Sequence, residues 1–211
     1  MPPMEQQRPI SVVFDLGAVL IDWDPRYLYR ELFPGDEPAM ERFLAEVCSP
    51  AWNHRQDEGR TWAEATAELV ARHPAERARI EAYRAGWERM LGGPIAGSVA
   101  ILAELRARGT PLYALTNWSS ETFPIARARY DFLGWFAGIV VSGDERVAKP
   151  DPAIYRILLA RHALAPERTC FIDDREENVA GARALGMDGI RFTDPAALRA
   201  DLAARGLLPA A

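Results

Sequence analysis

Lysine is almost missing from this 211-residue chain: of 25 basic residues, 24 are arginine and only Lys149 is not. An ammonium kept at one position of an arginine-rich chain points to a tight site beside carboxylates or phosphate, where a broad guanidinium does not fit. Cysteine is scarce as well. Cys48 and Cys170 form neither a disulfide framework nor a zinc-ligand spacing, and both are expected to be packing residues. His54, His73 and His162 are scattered without metal-ligand spacing and read as surface or cap residues. There is no basic excess: the net charge is -5 with a pI near 5.3, which argues against a nucleic-acid partner. No apolar run approaches the ~20 residues of a membrane span. Met1 to Pro9 is polar and proline-rich, without the apolar centre of a signal peptide. These absences lead us to expect a soluble cytoplasmic protein, monomeric or homodimeric, with no membrane or nucleic-acid partner.

What the chain has in quantity is apolar material, 49% of its residues, enough for one sizeable core with a small inserted module. Ile10 to Phe14 is an apolar strand that runs into Asp15 and Gly17. Gly17 to Trp23 reads as a brief flap or hairpin, and Pro25 is a helix-starting signal. Helical periodicity recurs at Tyr27 to Phe33, Met40 to Val47, Trp62 to Val70 and Ile80 to Leu91, with no convincing strand between them.

From Pro94 onward strands and helices alternate. Ile95, Val99, Leu102 and Leu105 make one helix face, and Pro111 to Leu115 is a continuous apolar strand. Ser119 to Tyr130 reads as helix, Gly138 to Val141 as strand, and Pro152 to Arg161 as a helix capped by Asp151. Thr169 to Ile172 and Gly189 to Phe192 complete the strands, followed by helices over Glu176 to Leu185 and Pro195 to Ala204 respectively. This alternation predicts an α/β fold: a Rossmann-like parallel sheet covered by helices on both faces. Residues 1–24 and 93–211 form its core, and residues 25–92 form a helical cap inserted after the first strand.

In a parallel sheet the C-terminal strand ends share one edge, so the polar groups that close these strands should converge. They are Asp15, the pair Thr116 and Asn117, Lys149 in the loop after the third strand, and the pair Asp173 and Asp174. Each taken alone is an ordinary turn or cap residue, and Glu176 and Glu177 need no more than the helix dipole to account for them. Clustered carboxylates, however, raise one another's pKa unless a cation offsets them. An all-oxygen ligand set completed by water suits Mg²⁺, so Asp15, Asp173 and Asp174 read as a Mg²⁺ site whose loop Asn178 fixes. Thr116 and Asn117 offer a hydroxyl, an amide and backbone N–H groups ahead of a helix, a cradle for an anion.

In this order Phe14-Asp15-Leu16-Gly17-Ala18-Val19, Leu115-Thr116-Asn117, Lys149-Pro150 and Asp173-Asp174 with Asn178 resemble the four motifs of the haloacid dehalogenase superfamily. The resemblance implies that Asp15 attacks phosphorus and becomes an aspartyl-phosphate. It also implies Mg²⁺ held by Asp15, the Gly17 carbonyl and Asp174, with Asp173 acting directly or through water. Thr116 and Lys149 would bind the phosphoryl oxygens of a small phosphorylated metabolite, and Lys149 would also neutralise Asp15.

One departure stands out. Most phosphatases of this superfamily carry an aspartate as general acid where this chain has Gly17, and such a group is worth ~10² to 10⁴ in rate. The first motif is similar to a branch of sugar-phosphate phosphatases beginning Asp-Leu-Gly, which implies sugar 1-phosphates, or an acid lent by Asp22, Asp24 or the cap. It also resembles metal-independent 2-haloacid dehalogenases, whose halide needs no proton. The pair Asp173-Asp174 favours the phosphatase, since those dehalogenases carry a serine-rich, less acidic loop there. A third reading keeps the fold as a binding protein without turnover. For substrate selection the sequence offers the polar stretch Trp52 to Gly59, read as a loop that either reads substrate or merely connects helices, and Trp118, at the cap interface or in the core.

Overall fold

Five short strands carry the molecule, and in each the side-chain alternation sorts residues to two apolar layers. Val12, Phe14, Leu112, Ala114, Cys170 and Ile172 enter one layer, while Val13, Leu115 and Phe171 enter the other. The computed structural model describes residues 11–209, so Ile10 and the polar Met1 to Pro9 stretch lie outside the described residues.

In chain order the elements are β1 (Ser11–Phe14), β2 (Ile21–Trp23), α1 (Arg26–Leu32), α2 (Glu37–Glu46), α3 (Pro50–Asp57), α4 (Trp62–Arg72) and α5 (Arg77–Ala85). There follow β3 (Leu91–Pro94), α6 (Ala96–Ala107), β4 (Leu112–Thr116), α7 (Phe123–Arg129), β5 (Gly138–Val141) and α8 (Ser142–Glu145). The chain closes with α9 (Pro152–Arg161), β6 (Thr169–Asp173), α10 (Glu176–Ala184), β7 (Asp188–Arg191) and α11 (Pro195–Ala204). The main sheet runs β5-β4-β1-β6-β7 and every pairing in it is parallel.

The connections leaving β1 and β4 pack on the first layer through α6 and α7. Those leaving β5 and β6 pack on the second through α9 and α10. The winding therefore reverses between β1 and β6, and the crevice at such a reversal is where open α/β sheets bind ligands. Asp15 follows one of those strands, while Asp173 ends the other and Asp174 comes next.

Local chemistry explains the boundaries. Asp151 caps α9 by accepting the Ala153 N–H, and Asp194 caps α11 through the N–H groups of Ala196 and Ala197. In α4, Thr61 and Glu64 form a reciprocal capping box. Three expectations are corrected. The polar stretch Trp52 to Gly59 is not a loop: most of it is α3, started by the Ser49 cap and Pro50 and ended near Gly59, whose φ is +92°. Leu91–Pro94 is a strand, paired antiparallel with β2 in a small ribbon where the helical insert leaves and rejoins the sheet. The helix expected from Ser119 begins only at Phe123, because Ser119 spends its hydroxyl and carbonyl on a turn that precedes it. Among the described residues no helix is long and apolar enough to cross a membrane.

Candidate active site

The rim above the β1–β6 crevice is built from strand ends. The Asp15 N–H donates to the Ile172 carbonyl at 2.8 Å, which extends the β1–β6 ladder by one bond and fixes the carboxylate at the edge. Its Oδ1 accepts the Leu16 N–H at 2.7 Å and faces the Lys149 Nζ at 3.0 Å. Its second oxygen has no partner among the hydrogen bonds of the described residues.

Lys149 is 1% exposed, and its ammonium has three directions occupied: the Leu115 carbonyl at 2.8 Å, Asp173 Oδ2 at 2.7 Å and Asp15. Burial alone would lower its pKa, but the two facing carboxylates carry it above the ordinary lysine value. Asn117 lines the cavity, and its amide is engaged with the Lys149 main chain. It holds the Lys149 main chain from both sides, donating to the carbonyl at 2.9 Å and accepting the N–H at 2.8 Å.

Asp173 is fully buried and saturated: besides Lys149 it accepts the Arg175 N–H at 2.9 Å and the Asn178 amide at 2.9 and 3.2 Å. Asn178 thus fixes the loop after β6. Asp174, next in the chain, lines the cavity and takes part in no ion pair among the described residues. Burial and the neighbouring Asp173 raise its pKa. Burial likewise raises that of Asp15, against the pull of Lys149 and with the push of Asp173 and Asp174. Thr116 is buried behind this group, and its hydroxyl has no hydrogen-bond partner.

The residues fit a divalent cation. Asp15, Asp173 and Asp174 offer oxygens that all lie within 4.8 Å of one another, opposed by one ammonium. Because Asp173 is already saturated, the free oxygens are those of Asp15 and Asp174, with Gly17 on the same cavity wall. An all-oxygen set suits Mg²⁺.

Above the rim lies a cavity of about 600 Å³, closed on the far side by the helical insert. Trp23, Trp87, Tyr83 and Leu44 give it an apolar wall, and Trp118 joins them from the sheet side, 6.4 Å from the Trp87 ring. Neither of the acids expected to lend a proton lines this space. Asp22 accepts the Tyr27 hydroxyl at 2.6 Å, and Asp24 is engaged by Arg26. From the stretch Trp52 to Gly59, offered for substrate selection without a role for any one residue, Asp57 does line it, at the end of α3 and 8% exposed. In the sequence it sits in a run of polar residues and carries no signal of burial.

Comparison with known proteins agrees with this geometry. A family model described as haloacid dehalogenase-like hydrolase matches residues 11–186. A sesquiterpene phosphatase, astK, of Aspergillus oryzae is 35% identical over 101 residues, 48% of this chain and 52% of that protein. The chain spans between about a third and half of the length of the curated relatives it matches first. Among solved structures, a HAD family enzyme from Bacteroides thetaiotaomicron in complex with magnesium and inorganic phosphate superposes with a TM-score of 0.68 at 23% identity, covering 88% of this chain and 95% of its own. An L-2-haloacid dehalogenase from Xanthobacter autotrophicus with chloropropionic acid covalently bound gives 0.67 at 19%, covering 95% and 85%. These two likenesses show the fold. With four strand ends meeting at one crevice and the family model covering most of the sequence, the chain belongs to the haloacid dehalogenase-like hydrolases.

Proposed function

We propose that this hydrolase is a Mg²⁺-dependent phosphatase of small phosphate monoesters, acting through an aspartyl-phosphate on Asp15. The observation that carries the reading is the charge balance at the rim: three carboxylates face one ammonium. A group of that kind leaves an excess of about two negative charges, which a divalent ion offsets and a metal-free site does not.

When bound, the cation supplies charge neutralisation and polarises the phosphoryl oxygens. The chain's own residues supply the rest. The free oxygen of Asp15 attacks phosphorus while Leu16 and Lys149 hold the other. Lys149 favours the ionised form of Asp15 against the burial that raises its pKa, and the unpartnered Thr116 hydroxyl is a donor for a phosphoryl oxygen. Lys149 acts chiefly on Asp15, since its protons are already directed to fixed acceptors. Asn117, Asp173 and Asn178 position that lysine. The phosphatase names among the relatives, astK included, fall on the same side.

Substrates of this class are small phosphorylated metabolites, and sugar 1-phosphates fit a site whose first motif lacks its own acid. The test is turnover of p-nitrophenyl phosphate with Mg²⁺ and with EDTA, beside chloride release from 2-chloropropionate. Phosphate release abolished by EDTA is the expected result. EDTA-insensitive chloride release without phosphate release would replace this reading by the dehalogenase, and a protein that turns over neither would be the binding protein.

A further inference from the structure

Among the described residues four charged side chains are buried: Asp15, Lys149, Asp173 and Asp57. The first three are paired with one another at the rim. Asp57 has no such company. It forms no ion pair and accepts no side-chain hydrogen bond among the described residues, yet it lines the same cavity as Asp15 from the opposite element, the helical insert.

The geometry points to Asp57 as the proton donor to the leaving group, in the place that Gly17 cannot fill. This rests on the phosphatase reading above and adds to it the acid that the first motif lacks. As Asp15 attacks, the bond between phosphorus and the ester oxygen breaks. The departing oxygen keeps the electron pair and takes the proton of the Asp57 carboxyl, which becomes a carboxylate as the alcohol leaves. In the second displacement a water attacks the aspartyl-phosphate. Its proton passes to Asp57, phosphate forms, and the electron pair of the phosphorus–Asp15 bond returns to Asp15.

The surroundings hold Asp57 in the required state. Burial pushes its carboxyl up to about 8; Glu58, just past the end of α3, and Asp15 across the cavity push the same way, and the Ser119 main chain opposes them. Tyr83 on α5 also faces it, as a neutral phenol whose own pKa is raised well above the ordinary value by burial. Arg146, after α8, lies against Gly59 and forms no ion pair with Asp57. The acid is therefore protonated near neutrality, as a donor must be. Its position is fixed, because α3 packs on α8 and the insert is tied to the same loop by the Trp62 indole, which donates to the Ser119 hydroxyl at 3.1 Å.

The experiment compares two esters of matched shape that differ in leaving group, with Mg²⁺ present: p-nitrophenyl phosphate, whose phenolate leaves unaided, and p-nitrobenzyl phosphate, whose alkoxide needs a proton. Asp57→Asn is expected to lower kcat/KM, which reports the first displacement alone, on the benzyl ester by ~10² to 10⁴, and on the phenyl ester by less than about threefold. Asp57→Glu should recover part of the benzyl activity. In the parent enzyme, which needs no substitution to be informative, the benzyl ester alone should show a basic limb in kcat/KM as Asp57 loses its proton. Equal losses of kcat/KM on both esters, no loss on the benzyl ester, or the same basic limb in kcat/KM with both would overturn the role of Asp57 while leaving the phosphatase intact. Absence of turnover of both esters by the parent enzyme would overturn the phosphatase and this role together.

Discussion

At the scale of single residues, the rim separates groups that perform chemistry from groups that hold others in place, and their substitutions should separate the same way. Lys149 neutralises two buried carboxylates, so Lys149→Met leaves Asp15 and Asp173 uncompensated. It is expected to destabilise the fold by about 3–5 kcal/mol, read by urea unfolding without Mg²⁺. Asp15→Asn removes the proposed nucleophile but no cation, and should abolish turnover with the melting temperature kept; a binding protein without turnover would show no difference. Asp57 offers a pH test. In the fold it holds a proton that the unfolded chain releases near the ordinary value of 3.8, because its folded pKa is raised to about 8. The folded state therefore binds more protons across that window, and stability should fall as pH rises through it and level off above. Asp57→Asn cannot titrate. Its melting temperature should gain on that of the parent from pH 4 to 8, by roughly 2–4 °C per kcal/mol in a chain of this size. Parallel curves would show that Asp57 titrates alike folded and unfolded.

At the scale of elements, the junction of insert and sheet depends on a close approach of backbones. A Cβ on Gly143 in α8 would lie 2.5 Å from the Ser120 N and 2.8 Å from the Trp118 carbonyl, both main-chain atoms that cannot swing aside. Gly143→Ala is expected to cost about 1–3 kcal/mol, and to lower kcat/KM by displacing the loop that follows Thr116 and Asn117. Chemical denaturation and steady-state kinetics would read both effects. How legible these elements were in the sequence follows from what each one packs against. The strands of the main sheet are buried on both faces, so Val12 to Phe14 or Cys170 to Ile172 announce themselves as apolar runs, and a parallel sheet brings their ends together. Helix α3 buries Trp52, Gln56 and Asp57 together, and no apolar stripe marks a helix whose inner face is partly polar. Strand β3 reads Leu-Gly-Gly-Pro, residues poor in strand propensity; its pairing with β2, not its composition, makes it a strand. Asp57 lay within the stretch offered for substrate selection, but its burial was not legible for a related reason: an acid in a charged run gains meaning only when tertiary packing takes away its water.

For the whole molecule, three clustered acids against one ammonium make the metal-free protein electrostatically unfavourable at its own rim. Adding Mg²⁺ should raise the melting temperature in proportion to log concentration once the site is saturated, since a ligand bound only by the fold stabilises it by mass action. Asp174→Asn should remove most of that rise without lowering the starting stability. An unchanged response would place the ion elsewhere. The β2–β3 ribbon has a consequence for how such a molecule can diversify. Because Ile21–Trp23 and Leu91–Pro94 lie side by side, the excursion between them begins and finishes at adjacent points. Lengthening it, trimming it or grafting a different set of helices requires no rethreading of the strands beneath, so recognition can be rewritten while the reacting groups keep their anchorage.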